Sequence, residues 1–324
     1  MSASTLLYLS RADVEAVALD MRTIIELVET AFREKGAGRV EMPPKPGIHP
    51  GPDAFIHAMP AYIPALHAAG LKWVGGFPEN VARGLPYISG LIVLNDDQTG
   101  LPYCVMDCTW VTAYRTGAAT ALSAKHLARP QCEVAGMLGC GVQGRTNLEA
   151  LCTLFPIRRA YAYDIVPTAR ERYAKEMAAK LGIEVIAVDS PRAAVADSDI
   201  VVTAGPILKE PKPTIEAGWL KPGGFGSAVD FDSYWQPAAL VEMDHISTDD
   251  HAQFHYYRSV GYFQRTPDPL SDLGELVAGL KPGRRGERER TLAMNLGLAI
   301  DDMAVAPEVY RRALAKGIGA TLHL

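Results

Sequence analysis

The sequence has little of several features that mark particular classes of protein. Its five cysteines form no CxxC pair and show no Cys/His spacing typical of zinc, so neither a disulfide framework nor a metal site is indicated. Lys+Arg number 32 and Asp+Glu 37, so a formal net charge of -5 leaves no basic excess to attract nucleic acid. No apolar run reaches membrane-spanning length, and the first residues lack a charged region followed by a long apolar core. We therefore expect a cytoplasmic protein with reduced thiols and no metal, whose partners are small molecules rather than nucleic acid or membrane.

What the chain does have is enough apolar sequence to bury large cores. It is 324 residues long and 48% hydrophobic in composition. This length exceeds that of one typical domain, which favours two domains. No internal repeat or low-complexity segment interrupts it.

A glycine-rich turn follows an apolar strand predicted at residues 134–138. Gly139 permits a tight turn, Gly141 lets the backbone approach a pyrophosphate, and Gly144 lets the following helix pack closely on the strand. The first turn of that helix presents unpaired N–H groups to phosphate oxygens. The pattern is typical of a dinucleotide-binding βαβ unit.

A second strand, predicted at residues 160–163, ends at an acid. Asp164 lies where a carboxylate can accept hydrogen bonds from both ribose hydroxyls, and its charge would repel a 2′-phosphate. NAD(H) is therefore the preferred cofactor. Arg170 and Arg172 follow closely, so NADP(H) stays possible.

The order of the elements predicts the fold class and the domains. A Pro- and Gly-rich, β-prone region from residue 40 to 106 precedes a helix near 109–128, after which strands alternate with helices. A last helix is predicted near 296–316. We expect a Rossmann doubly wound parallel sheet inserted into an α+β substrate-binding and dimerisation domain. The expected parts are 1–128 for substrate binding and dimerisation, 129–290 for NAD binding, and 291–324 as a helical segment that returns to the first domain.

Two cations stand out as candidate anion-binding groups. Lys72 lies in an apolar strand, where an ammonium is costly unless it meets an anion, although a surface lysine at a strand edge is the alternative. Arg115 lies mid-helix among small residues that would let a ligand approach, and a guanidinium can bind a carboxylate through two hydrogen bonds. An ordinary exposed helix arginine is the alternative for that position.

Asp230 is the candidate acid. It follows an apolar strand, and ligands bind beyond the carboxyl ends of strands in open α/β sheets. A carboxylate there could exchange protons with a substrate nitrogen. Asp232 competes for this role, and helix capping is the alternative for either residue. His251 and His255 share one predicted helix, but we expect them to be solvent-facing or packing residues because no third ligand is evident.

Segments spread over nearly the whole chain resemble the ornithine cyclodeaminase and mu-crystallin family, which includes NAD(P)-dependent alanine dehydrogenases and ketimine and iminosuccinate reductases. They occur in family order, so the resemblance is specific. The matching segments are Met59-Pro60-Ala61, Gly70-Leu71-Lys72, Pro78-Glu79-Asn80, Gly84-Leu85-Pro86, Arg115-Thr116-Gly117-Ala118-Ala119, residues 139–143 and residues 291–302.

The resemblance implies a homodimer built through the N-terminal sheet domain, with NAD(H) on the inserted domain. Carried over by position, Lys72 and Arg115 bind the substrate α-carboxylate with help from Lys45, and Asp230 is the acid/base. The cofactor contacts implied are Gly139, Gly141, Val142, Gln143, Gly144, Asp164, Thr203, Ser227 and Asn295.

Two departures from the family bear on the substrate. His57 replaces the glutamate with which cyclodeaminases are thought to hold the distal ammonium of ornithine, and residues 231–234 replace a Pro-Gly-Lys segment. An imidazole titrates near neutrality, and a neighbouring carboxylate would favour its charged form, although His57 could instead pack within the sheet. We therefore expect a substrate with a short neutral or acidic side chain.

These residues lead to one preferred function and several alternatives. The preferred function is an NAD-dependent reductase or dehydrogenase of a small 2-imino or 2-oxo acid, with iminosuccinate reduction to aspartate as the first candidate. Ornithine or lysine cyclodeamination, alanine dehydrogenation and cyclic ketimine reduction are the enzymatic alternatives. A nucleotide-dependent binding protein is the alternative from another class.

Overall fold

The computed structural model describes residues 5–324, which divide into two compact units. Unit 1 combines the chain up to Arg115 with the segment Leu298–Leu324, and unit 2 is the continuous stretch Thr116–Gly297. Both helices and strands occur in each unit. Among the described residues, no helix is both long and apolar enough to cross a membrane.

The elements of unit 1 come from both ends of the chain. In order they are β1 (Thr5–Leu9), α1 (Arg11–Val17), α2 (Met21–Gly36), β2 (Gly47–Gly51), β3 (Ala54–Ile63), β4 (Ala68–Gly76), β5 (Ile88–Asn95), β6 (Pro102–Asp107) and the start of α3 (Thr109–Leu127). The unit 2 elements are β7 (Val134–Leu138), α4 (Val142–Leu154), β8 (Arg159–Tyr163), α5 (Pro167–Leu181), β9 (Glu184–Ala187), α6 (Pro191–Val195), β10 (Ile200–Thr203), β11 (Phe225–Ala228), α7 (Pro237–Val241), β12 (His245–Thr248), α8 (His251–Ser259), β13 (Ser271–Asp272), α9 (Leu273–Val277) and β14 (Thr291–Met294). The chain then returns to unit 1 as α10 (Ala299–Lys316) and β15 (Ala320–His323).

Unit 1 is built on a seven-stranded sheet in the order β15-β1-β6-β5-β4-β3-β2. Only β1 and β6 pair in parallel, and the remaining neighbours are antiparallel. Side chains alternate between a buried face and a more exposed one, as period-2 strands require. Helix α10 packs on β3 and β4 so closely that a Cβ on Gly70 would lie 2.9 Å from the sulfur of Met303.

Unit 2 contains an eight-stranded sheet in the order β13-β12-β14-β11-β10-β7-β8-β9. Every neighbouring pair is parallel, as expected for strands such as β10 and β11 whose residues are all buried. From β7 the chain first adds β8 and β9 on one side and then β10 and β11 on the other. The direction therefore reverses between β7 and β10, and the carboxyl ends at such a switch point form the ligand crevice of open α/β sheets.

The predicted fold class is confirmed, whereas the domain limits differ from those expected. Unit 1 ends at Arg115 inside α3, before the expected limit after residue 128. The expected C-terminal segment 291–324 begins with β14, which pairs with β11 and β12 and so lies within the sheet of unit 2. Apolar periodicity at residues 291–294 fits a buried strand as well as a helix, which explains the difference.

Candidate active site

The glycine turn between β7 and α4 has the backbone geometry that a pyrophosphate site requires. Gly139 has φ 104°, and a Cβ there would lie 2.5 Å from the Ala204 carbonyl oxygen. A Cβ on Gly144 would lie 2.1 Å from the Gly139 oxygen, so only glycine allows this packing of α4. Gly141, by contrast, faces open space, and it caps α4 without any side-chain hydrogen bond to the first turn. The N–H groups at this exposed helix start therefore fit a dinucleotide phosphate.

Asp164 stands beside that turn at the end of β8. Its Oδ2 accepts a hydrogen bond from the Cys140 amide at 2.9 Å, and its Oδ1 accepts one from the Val166 amide at 3.0 Å. An ionised carboxylate has about four acceptor positions, so capacity for ribose hydroxyls remains. Arg170 donates to the backbone oxygen of Asp164 at 3.3 Å and pairs with Asp189, which occupies its guanidinium.

Three further predicted cofactor contacts lie in buried or partly buried polar pairs of unit 2. Gln143 accepts from the Asn147 amide at 3.2 Å, and Ser227 lies 3.1 Å, oxygen to oxygen, from Thr120. Asn295 accepts from the Ser123 hydroxyl at 3.2 Å, while its buried Nδ2 has no hydrogen-bond acceptor within the part of the chain described. A buried amide donor without an acceptor is costly, so this group fits a ligand oxygen.

Asp230 is fully buried and held by two donors at the carboxyl end of β10. The Thr203 hydroxyl donates to Oδ1 at 2.7 Å, and the Gly205 amide donates to Oδ2 at 2.8 Å. Burial raises the pKa of Asp230 to about 7, although the hydrogen bond from Thr203 acts in the opposite direction. The side chain can therefore hold or release a proton near neutral pH.

The competing acid, Asp232, has a different environment. Its Oδ2 accepts from the Thr266 hydroxyl at 2.9 Å, away from β10, and burial raises its pKa as well. Between the two acids, Phe231 has φ 63°, an uncommon backbone conformation for a bulky residue. Its ring packs against Tyr257 and Phe263 at centroid distances of 4.9 and 5.0 Å. This turn separates the two carboxylates, and only Asp230 lies against Thr203.

Lys72 and Arg115 in unit 1 are neither a surface lysine nor an exposed helix arginine. Lys72 is 1% exposed, and its Nζ lies 2.7 Å from Asp302 Oδ2. Arg115 contacts Asp302 Oδ1 through Nε at 3.2 Å and Asp301 Oδ2 through an Nη at 3.1 Å. Burial, reinforced by Arg115, lowers the pKa of Lys72. The predicted residues Lys72 and Arg115 are thus linked by ion pairs to two aspartates that the sequence analysis did not identify.

Asp301 and Asp302 lie in the first turn of α10 and are completely buried. Their signal in the sequence is a pair of adjacent acids inside the otherwise apolar stretch 291–306. Buried acids of this kind require cationic partners. Arg115 lies 186 residues from Asp301 and 187 from Asp302, and Lys72 is further away still, so the local sequence could not identify these partners.

His57 lies on the buried face of β3, where Met59, its neighbour on that face, pairs with Lys72. Its ring stacks on Phe55 at 4.3 Å, and a Cβ on Gly47 would lie 2.3 Å from its Cδ2. Burial lowers the pKa of His57 to about 3, with Lys45 as the next cause. Burial, together with these cationic neighbours in place of a carboxylate, therefore favours the neutral imidazole, and the stacking on Phe55 agrees with the packing alternative. Lys45 is itself buried.

One His/carboxylate cluster was not foreseen from spacing. Possible ligand atoms of His251, Asp272 and Glu275 lie within 4.8 Å of one another, whereas His255 is not part of the group. Asp272 accepts from the Glu275 amide, and Glu275 accepts from the Asp272 amide, both at 2.9 Å. These bonds form the capping box of α9, which accounts for the proximity of the carboxylates.

The fold and these groups together define a protein with a dinucleotide-binding unit and a second unit that carries buried cations. Residues 6–317 match the model of the ornithine cyclodeaminase/mu-crystallin family, and the chain belongs to this family. It is 35% identical to the alanine dehydrogenase of Archaeoglobus fulgidus over 325 residues, with 98% of each chain covered.

Two solved structures are similar over nearly their whole length. One is Thermococcus litoralis Delta(1)-pyrroline-2-carboxylate reductase in complex with NADH and L-proline, with TM-score 0.88, 35% identity, and 97% of this chain and 99% of that chain covered. The other is an archaeal alanine dehydrogenase dimer with bound NAD, with TM-score 0.88, 33% identity, and coverage of 99% and 100%.

Proposed function

We propose that this protein is an NAD-dependent reductase or dehydrogenase that interconverts a small 2-imino or 2-oxo acid and the corresponding L-amino acid. The observation that carries the proposal is the pair of buried cations, Lys72 and Arg115, each already in contact with an aspartate of α10. Burying two cations in an apolar interior costs desolvation free energy. A role in binding an anionic substrate explains why the chain has them there.

The glycine turn, Asp164, Thr203, Ser227 and Asn295 are the residues proposed to hold the cofactor. When bound, NADH supplies a hydride to the substrate α-carbon, and NAD accepts one in the reverse direction. The two solved structures described above contain NADH or NAD, which supports NAD(H) here. Asp164 favours NAD(H) over NADP(H) through its negative charge, and Arg170 does not offset this charge because it pairs with Asp189.

Lys72 and Arg115 bind the substrate carboxylate in this proposal. A guanidinium offers parallel N–H donors, and the two oxygens of a carboxylate match them. Lys45 adds a third buried cation near His57. Positioning and charge complementarity of this kind can supply much of the acceleration of a hydride transfer.

Asp230 exchanges a proton with the substrate nitrogen. Its pKa of about 7 leaves both protonation states populated near neutrality, as a group that works in two directions requires. The protonated form serves reduction, and the ionised form serves oxidation. Asp232 is less suitable, because it accepts from Thr266 and not from Thr203 at the carboxyl end of β10, where the cofactor is proposed to bind.

The surroundings of His57 favour a short, neutral or acidic substrate side chain. Neutral His57 next to the cationic Lys45 gives this part of unit 1 no group that attracts a distal ammonium, which argues against ornithine or lysine cyclodeamination. Iminosuccinate, with its second carboxylate, is the first candidate. Pyruvate with ammonia, giving alanine, is the second, and the 35% identity to an alanine dehydrogenase favours it specifically.

We also propose a homodimer formed through the exposed face of the unit 1 sheet. Trp73 and its strand partner Leu91 are 45% and 42% exposed on this face, and Leu71 pairs with Val93 beside them. A contiguous apolar patch on a sheet is typical of a protein interface. The similar alanine dehydrogenase structure is a dimer.

A cofactor-coupled substrate comparison tests the function. Catalytic efficiency is measured with NADH on iminosuccinate, on pyruvate plus ammonia and on a cyclic ketimine, and with catalytic NAD on ornithine, whose cyclisation consumes no net NADH. We expect the acidic substrate to be preferred and His57→Ala to lower its efficiency, while His255→Ala, a substitution of an exposed histidine, leaves it unchanged. Preference for ornithine or a cyclic ketimine would contradict the side-chain assignment, and absence of any NADH oxidation would favour a binding protein.

A further inference from the structure

Lys72, Arg115, Asp301 and Asp302 form what we name the buried quartet. All four are at most 5% exposed, and the two cations balance the two carboxylates. The members come from β4, from α3 and from the first turn of α10, and they contact one another directly. Water therefore can do little to stabilise any further charge that is placed next to these four side chains.

The two aspartates of the quartet are not equivalent. Both oxygens of Asp302 face cations, with Oδ1 3.2 Å from Arg115 Nε and Oδ2 2.7 Å from Lys72 Nζ. Asp301 uses only Oδ2, which accepts from Arg115 at 3.1 Å and from the Leu298 amide at 3.2 Å. Its buried Oδ1 has no hydrogen-bond partner among residues 5–324. Asp302 Oδ2 also has no hydrogen-bond partner among these residues, but it lies 2.7 Å from Lys72 Nζ and is thus paired with a cation. Asp301 Oδ1 is therefore the quartet atom best placed to receive a proton.

A bound substrate carboxylate would leave the quartet with one excess negative charge. A buried, unbalanced charge costs several kcal/mol, and a nearby like charge raises the pKa of a carboxylate. We propose that binding of an anionic substrate is coupled to the uptake of one proton from solvent by Asp301, which keeps the occupied quartet neutral. This inference rests on the proposed role of Lys72 and Arg115.

The titratable groups around Asp301 are consistent with this assignment. Burial raises the pKa of Asp301 to about 6 before any ligand is added, with Arg115 and Lys72 opposing and Asp302 reinforcing the shift. Cys108, close to Lys72 and Asp302, has its pKa raised to about 11 by burial and stays a neutral thiol. The competing proton acceptors in the quartet are Lys72, whose pKa is lowered by burial, and the carboxylate of Asp302.

Calorimetry tests the coupling. Pyruvate and fumarate, which do not titrate near neutrality, are bound to the NADH complex of Asp230→Asn, so that neither turnover nor Asp230 contributes. Repeating the titration in buffers of different ionisation enthalpy gives the number of protons taken up. We expect this number to rise from near zero at about pH 5 to on the order of one at about pH 8.

The added substitution Asp301→Asn separates this inference from a structural role. It should abolish the uptake and tighten binding at about pH 8 by up to roughly a hundredfold, since about two pH units lie above a pKa of about 6. At about pH 5.5 the two affinities should be nearly equal. A merely structural role predicts weaker binding at every pH.

The contrary outcomes are distinct. Binding of pyruvate or fumarate without proton uptake overturns the inference and leaves the proposed function standing. Uptake that persists in Asp301→Asn shows that another group, such as Lys72 or Asp302, takes up the proton and also overturns the inference. No binding of either carboxylate overturns the proposed function and the inference together. If Asp301→Asn does not fold, the pH dependence of uptake in the parent decides, and a flat profile contradicts the proposal.

Discussion

Replacing Thr203 by valine removes one of the two donors that hold the ionised form of Asp230. The Thr203 hydroxyl donates to Oδ1 at 2.7 Å, and the Gly205 amide on Oδ2 would remain. A hydrogen bond to a charged group contributes about 1.5–3 kcal/mol, and one pKa unit corresponds to about 1.4 kcal/mol. Its loss should therefore raise the pKa of Asp230 by roughly one to two units, from about 7 to roughly 8–9.

The sign of the effect on rate follows from the role of the acid. Reduction needs the protonated carboxyl, so kcat/KM at saturating NADH should fall as pH rises through the pKa, and Thr203→Val should move this fall to higher pH. Thr203→Ser keeps the donor and should restore the wild-type profile. Thr248→Val, which removes another buried hydroxyl of the same sheet, should leave it unchanged. If the fall of kcat/KM in Thr203→Val occurs at the wild-type pH or at a lower pH, Asp230 is not the titrating group.

Three other changes have defined outcomes. Asp164→Ala should weaken steady-state use of NADH and make NADPH less unfavourable, because a charge that repels the 2′-phosphate is gone; a wild type that prefers NADPH would contradict this. Lys72→Met should lower the free energy of unfolding in urea by about 3–5 kcal/mol, because Asp302 loses one of its cations. The double variant Lys72→Met/Asp302→Leu should recover part of this loss. If Lys72→Met is as stable as the wild type, Lys72 and Asp302 are not a tightly coupled pair. Trp73→Arg/Leu91→Arg should convert a dimer to a monomer in light scattering, while Val241→Arg, exposed in unit 2, should not; an unchanged mass would place the interface elsewhere.

The local sequence was sufficient to predict those features that depend only on residues close together in the chain. The roles of Gly139 and Gly144 follow from a turn and a packing contact within one βαβ unit, and the structure has both. The strand at 134–138 and the acid that follows β8 could be predicted for the same reason. Lys72 was recognisable because an ammonium in an apolar strand needs an anion.

Long-range electrostatics could not be read from the sequence. The anions that meet Lys72 and Arg115 come from α10, at the far end of the chain. The charge state of His57 depends on burial and on Lys45, which approaches it from a neighbouring segment, so its residue type alone could not decide between a charged and a neutral imidazole. The predicted start of the C-terminal segment at residue 291 differs from the structure for a related reason. The strand β14 belongs to unit 2 because it pairs with β11 and β12, and this pairing is not visible in the local sequence.

The two-segment composition of unit 1 has a consequence for synthesis on the ribosome. Unit 2 is one continuous stretch and can fold as soon as it emerges, whereas unit 1 has to wait for the chain that follows it. Until α10 is made, Lys72 and Arg115 have no Asp301 or Asp302 to neutralise them, and β1 lacks the partner strand β15. Nascent unit 1 therefore carries an open sheet edge and uncompensated cations throughout the synthesis of unit 2, which makes it a natural client for chaperones. A chain terminated before Leu298 should retain a folded unit 2 attached to an aggregation-prone N-terminal segment that ends at Arg115.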